Sequence, residues 1–87
     1  MTLDDVTSQL GTFVRETFKV SATDADFTDD VNMFDYGYVD SFGAVEIITF
    51  VEQRFHVVIS DQDLVIHPLN TVREIATLVH QRLEAAP

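Results

Sequence analysis

The stretch Asp40-Ser41-Phe42-Gly43-Ala44-Val45-Glu46-Ile47-Ile48-Thr49-Phe50-Val51-Glu52-Gln53-Arg54-Phe55 decides the fold class. Its apolar residues recur at spacings of three and four, so on a wheel of about 100° per residue the spacing predicts a helix over Ser41–Phe55 with Asp40 at the N-cap. Two arcs separate on that wheel. One carries Ala44, Ile47, Ile48, Val51 and Phe55 and is expected to face a core. The opposite arc carries Phe42, Glu46, Thr49, Phe50 and Gln53, placing two large aromatics where a solvent face is ordinarily polar.

Upstream, residues 19–40 have no periodicity and are rich in Ser, Thr, Asp and Asn, a turn-forming composition, with Gly37 near the end. A loop of roughly 20 residues is long for a compact domain, and such loops are functional or tied down by their own side chains. Phe27, Val31, Phe34, Tyr36 and Val39 are the expected tethers. Before the loop, Leu3, Val6, Leu10, Phe13, Val14 and Phe18 fall on one arc and predict an amphipathic helix, with Thr2 and Asp5 as a capping pair.

Downstream, Val57, Val58 and Ile59 suggest a short extended connector. Ser60 and Asp63 resemble a second cap pair opening a brief helix through Ile66, which Pro68 stops. Thr71 and Glu74 form a capping box before a last helix, whose stripe is Val72, Ile75, Ala76, Val79 and Leu83; the tail Glu84 to Pro87 is expected to fray. The sum is an all-α chain, a small four-helix bundle of three longer helices and a short third one, with a long loop between the first two. The length of 87 residues leaves room for a single domain over 1–87.

Composition narrows the function. With no cysteine the chain has no disulfide, no thiol nucleophile and no thiolate zinc site, which fits a reducing, cytoplasmic setting. Five basic against fifteen acidic residues give a net charge of −10. That field repels phosphate backbones, so nucleic acid is not expected as a partner, and it favours basic protein surfaces. No run reaches the roughly 18 to 20 apolar residues of a membrane span, and Asp4 and Asp5 near the start do not suit a signal peptide.

The acidic loop raises the question of a metal. An EF-hand starting at Asp24 would place Asp29 where the turn demands glycine and Asp35 where a bidentate glutamate belongs, so solvated turn carboxylates are the better reading. His56, His67 and His80 have no zinc-site spacing. Ser41 lies in Val39-Asp40-Ser41-Phe42-Gly43, which lacks the first glycine of a hydrolase elbow. Neither a catalytic group nor a metal site is expected. Ser41 is still unusual, since Asp40 already performs the capping. A phosphate esterified there would meet unpaired N–H groups and the positive end of the helix dipole.

At these residues the chain resembles the carrier-protein family, the acyl, peptidyl and D-alanyl carriers that bear a 4′-phosphopantetheine arm on a serine. The family's Asp-Ser-apolar motif is matched by Asp40-Ser41-Phe42, and its Gly-containing loop end by Tyr36-Gly37-Tyr38-Val39. The likeness continues through Glu52-Gln53-Arg54-Phe55-His56-Val57-Val58-Ile59, Ser60-Asp61-Gln62-Asp63-Leu64 and Asn70-Thr71-Val72-Arg73-Glu74-Ile75. Gly43 is a departure: many fatty-acid-type carriers have an acidic residue directly after the apolar one. Asp-Ser-apolar-Gly looks more like D-alanyl carriers and some free-standing carriers of specialised metabolism.

The resemblance implies a non-enzymatic shuttle. A phosphopantetheinyl transferase would move the arm from coenzyme A to Ser41, and the arm's thiol would hold an acyl or aminoacyl group as a thioester. The partners implied are a loading enzyme and a downstream acyltransferase or synthase with basic docking surfaces. Polyketide or nonribosomal peptide-like biosynthesis is the expected setting, with Asp40, Phe42, Glu46, Thr49, Phe50 and Gln53 as the recognition face. The start at Met1 and the polar end at Pro87 suggest a free-standing protein. An acidic interaction module and a cation-binding helical protein, both without an arm, are the alternatives.

Overall fold

A computed structural model describes residues 1–85. Four helices follow in order, α1 (Leu3–Thr17), α2 (Ser41–Phe55), α3 (Asp61–Ile66) and α4 (Val72–Ala85), and there is no strand among the described residues. The helices start where the side chains say they should. Thr2 and Asp5 form a reciprocal capping box on α1, and Ser60 and Asp63 form another on α3. Thr71 and Glu74 exchange the same pair of bonds at the start of α4, while Asp40 caps α2 alone. Each box satisfies backbone donors that the first turn leaves unpaired.

The core lies between α1 and α4, which pack together along their lengths, with α2 laid against them. Val6, Leu10 and Val14 of α1 and Val72, Ala76 and Val79 of α4 have lost all solvent exposure. From α2, Ile47, Val51 and Phe55 are buried, and Ala44 and Ile48 are half-buried at the edge of that arc. The connector after α2 alternates as an extended segment does, with Val57 and Ile59 buried and Val58 exposed.

The end of α1 is built without glycine. Lys19 takes a left-handed conformation at φ 57°, and the Val20 N–H donates to the Arg15 carbonyl at 2.9 Å, the six-to-one bond of a Schellman ending. Arg15 then donates to the Ser21 and Phe27 carbonyls and lies over the Phe27 ring, fastening the first part of the loop to α1.

Two expectations need correction. Among the expected loop tethers, Phe27, Val31 and Val39 are buried and Phe34 is half-buried, but Tyr36 is 67% exposed. The turn around Gly37, at φ 76°, directs Tyr36 outward, and the buried positions nearby go to Met33 and, in part, to Tyr38. The expected fraying from Glu84 is also not observed at its first two residues. Glu84 and Ala85 belong to α4, where Glu84 reaches the His80 ring one turn back at 2.9 Å; Ala86 and Pro87 lie outside the described residues.

Candidate functional site

The backbone of Met33 organises the approach to α2. Its N–H donates to the Asn70 carbonyl at the entrance of α4, and its carbonyl accepts from both Tyr38 and Val39. Between these bonds the Asn32 carboxamide oxygen accepts from the N–H groups of Phe34 and Asp35, and Gly37 donates to the Phe34 carbonyl, closing a compact turn. The Tyr38 hydroxyl donates to Asp24 across the loop at 3.0 Å, and burial together with that carboxylate pushes the phenol's pKa up. The chain therefore reaches Asp40 from a fixed direction.

Asp40 accepts from the Gly43 N–H at 2.8 Å, and the Ala44 N–H donates to the Asp40 carbonyl, so the cap is complete without Ser41. Ser41 is the first helical residue and is exposed. The first turns of α1, α3 and α4 contain Asp4 and Asp5, Asp61 and Asp63, and Glu74, whereas the first turn of α2 contains no carboxylate. Acidic side chains there offset the positive end of the helix dipole. At α2 the first helical residue is the exposed Ser41 instead, with one capping carboxylate beside it, an arrangement chemically able to take a phosphodiester on the serine.

The two rings on the outer arc of α2 behave differently. Phe42, next to Ser41, is 81% exposed. Phe50 is half-buried, stacked on Phe13 of α1 with centroids 4.0 Å apart and edge-on to Phe55 at 6.2 Å. The arc expected to be open is therefore interrupted at Phe50, because Phe13 of α1 reaches over that ring. Glu46, Thr49 and Gln53 are exposed, as a recognition face requires, and Val45 adds an apolar group at 65% exposure.

Sequence reasoning missed the contribution of α3. Leu64, Val65 and Ile66 are all exposed. Three consecutive apolar residues cannot share one face of a helix, and that was the available signal. A groove of about 510 Å³ runs between this helix and α2, with Phe34, Ala44, Ile48 and Leu69 among its walls and His67 and Asn70 at its polar margin. A bidentate ion pair holds α3 in place: Arg82 of α4 grips both oxygens of Asp63 and also donates to the Val58 carbonyl at 3.1 Å. The guanidinium, aided by the Ser60 N–H, holds the Asp63 carboxyl well below the usual carboxylate range.

Two of the loop carboxylates have partners within the fold. Asp24 accepts from the Asp26 N–H and from Tyr38, and Asp30 pairs with Arg73 at 2.6 Å. Among the described residues no three acidic or histidine side chains gather as a metal site, and no helix is long and apolar enough to cross a membrane.

No curated protein matches the chain. A family model does, the phosphopantetheine attachment site, over residues 8–79, a span that takes in most of α1, the loop, all of α2 and α3 and the first half of α4. A match over that much of the chain, on an all-helical fold, settles the assignment: the chain belongs to the phosphopantetheine attachment-site family, non-catalytic carriers of a covalent 4′-phosphopantetheine arm.

Proposed function

We propose that Ser41 is the residue that bears the arm. The observation that carries this reading is the exposed hydroxyl at the one helix start, among the described four, whose first turn holds no carboxylate. Asp40 holds the turn through the Gly43 N–H, so Ser41 is free to react. When attached, the arm supplies a terminal thiol that carries cargo as a thioester; the protein supplies position, recognition and reach.

The 87 residues act as one carrier domain of the free-standing, D-alanyl-like type, a reading supported by Asp40-Ser41-Phe42-Gly43. The cargo is an acyl or aminoacyl group of specialised, polyketide or nonribosomal peptide-like biosynthesis in the cytoplasm. The apolar groove beside α2 favours a cargo with some hydrocarbon character. The partners are a phosphopantetheinyl transferase, a loading enzyme and a downstream acyltransferase or synthase. They meet the exposed face formed by Asp40, Phe42, Glu46, Thr49 and Gln53 through basic surfaces, drawn by the net charge of −10. Phe50 contributes only in part, being half-buried. Membership of the carrier family favours this reading over an acidic interaction module or a cation-binding protein without an arm.

Mass spectrometry after incubation with coenzyme A and a broad-specificity transferase tests it. The wild type gains one phosphopantetheine, and Ser41→Ala gains none while keeping its helical circular dichroism spectrum. An adduct persisting in Ser41→Ala would remove Ser41 from the site.

A further inference from the structure

Gly43 sits inside the first turn of α2, where glycine is a poor helix former, and it is buried. A Cβ built there would lie 2.7 Å from Cε1 and 3.0 Å from Cζ of Phe18, and 2.8 Å from Cγ1 of Val39. The two neighbours come from different directions. Phe18 is the C-cap residue of α1, fixed by its N–H bond to the Val14 carbonyl and by the Schellman bond just beyond it. Val39 is 4% exposed, β-branched and held through its N–H to the Met33 carbonyl at 3.1 Å. The Phe18 ring and the Val39 side chain thus form a seat against which the backbone of Gly43 rests without a side chain of its own.

That seat bears directly on Ser41. Gly43 N–H is the donor to the Asp40 cap, so any shift of Gly43 is passed through a 2.8 Å bond to the residue before Ser41 and through two peptide units to Ser41 itself. We infer that Gly43, seated on Phe18 and Val39, is a positioning residue for arm transfer: it sets the place and direction of the Ser41 hydroxyl relative to the surface that a transferase recognises. This rests on Ser41 being the attachment residue. In the transfer, the Ser41 oxygen bonds to the phosphorus that carries pantetheine, and the P–O bond to the other phosphate of the diphosphate breaks. The 3′,5′-ADP leaves with the electron pair, and the hydroxyl proton passes to a base of the transferase. An in-line displacement of this kind loses rate steeply when the attacking oxygen is misplaced by about 1 Å. The sequence showed Gly43 only as a family departure; the structure gives it a steric reason that does not depend on the cargo.

The experiment follows transfer from coenzyme A to the unmodified full chain by a broad-specificity transferase, with the folded fraction of each variant measured by circular dichroism at the assay temperature. Gly43→Ala is expected to lower kcat at least tenfold, with a smaller change in KM. Gly43→Ala combined with Phe18→Leu, which withdraws the two closest ring atoms, is expected to recover at least threefold of that loss. If Gly43→Ala does not fold, Phe18→Leu alone decides, because it adds no new contact: at least a threefold fall in kcat of the folded protein supports the inference. A folded Gly43→Ala, or failing that Phe18→Leu, that loads at the wild-type kcat overturns it. The same assay separates this failure from that of the attachment reading, since a wild type that takes up no arm, or a Ser41→Ala that does, rejects Ser41 itself.

Discussion

The pair α1–α4 and the outer sides of α2 and α3 treat their apolar residues differently. Along α1 and α4 the large aliphatic side chains meet one another, with Val6, Leu10, Val14, Val72 and Val79 at 0% exposure. On the other side, Phe42 and Val45 of α2 and Leu64, Val65 and Ile66 of α3 all remain in solvent. Burial holds the first pair together and anchors α2 through Ile47, Val51 and Phe55; the Asp40 cap, the Met33 backbone bonds and the Arg82 grip on Asp63 fasten the rest. The fully buried and the exposed apolar side chains are therefore different sets, and an exposed apolar set is what the proposed docking surface would use.

The largest effect expected follows from the first pair. Leu10→Ala should cost about 2 to 5 kcal/mol in urea-induced unfolding, a large share of the roughly 5 to 10 kcal/mol of a domain this size. A cost below about 1 kcal/mol would break the contrast outright. Phe50→Ala tests the boundary between the pairs: with its ring half-buried and stacked on Phe13, it should lose about 2 kcal/mol. An unchanged midpoint would return Phe50 to the open face.

The polar fastening of α3 is expected to contribute less and to be visible in its pH dependence. Because the Asp63 carboxyl is held below its unfolded value of about 3.9, its contribution is complete above that pH and is lost as pH falls toward the lower folded value. Arg82→Gln should thus lower the melting temperature most at neutral pH, and the gap from wild type should close below about pH 4. A gap that stays constant from pH 7 to pH 2 would show that Arg82 acts by packing alone. The smallest stability change belongs to Phe42→Ala, within about 0.5 kcal/mol, yet it should slow loading of the holo-protein by its own loading enzyme. Glu46→Lys should do the same through the association rate. Loading kinetics unmoved by both would sharpen the contrast differently, leaving α3 as the recognition element.

What the sequence made legible was local. Three reciprocal cap pairs, the N-cap at Asp40, both ends of α2 and the buried arcs of α1 and α4 are set by residues within a turn of one another. The start of α2 at Ser41, and with it the candidate site, followed from the same short-range signals. What stayed hidden depended on distant partners. Phe42 and Phe50 share an arc of the wheel, and only the approach of α1 with Phe13 tells them apart. Met33 and Tyr36 lie in a stretch without periodicity, so the burial of the first and the exposure of the second became visible only with the turn around Gly37. The pairs Arg82–Asp63 and Arg73–Asp30 join residues far apart in sequence, and no pattern in either segment announces them.

The destination of the cations has one more consequence. Of five basic residues, Arg15 is directed to loop carbonyls, Arg73 to Asp30 and Arg82 to Asp63. Thirteen carboxylates lie outside these two ion pairs, and they repel one another across a small surface. Added electrolyte shortens the range of that repulsion to about 10 Å at 0.1 M and so relieves a strain on the folded chain. It also weakens the attraction of a basic partner. Ionic strength should therefore move the two properties in opposite directions: the melting temperature is expected to rise between low and moderate salt while the encounter with a basic partner is expected to slow.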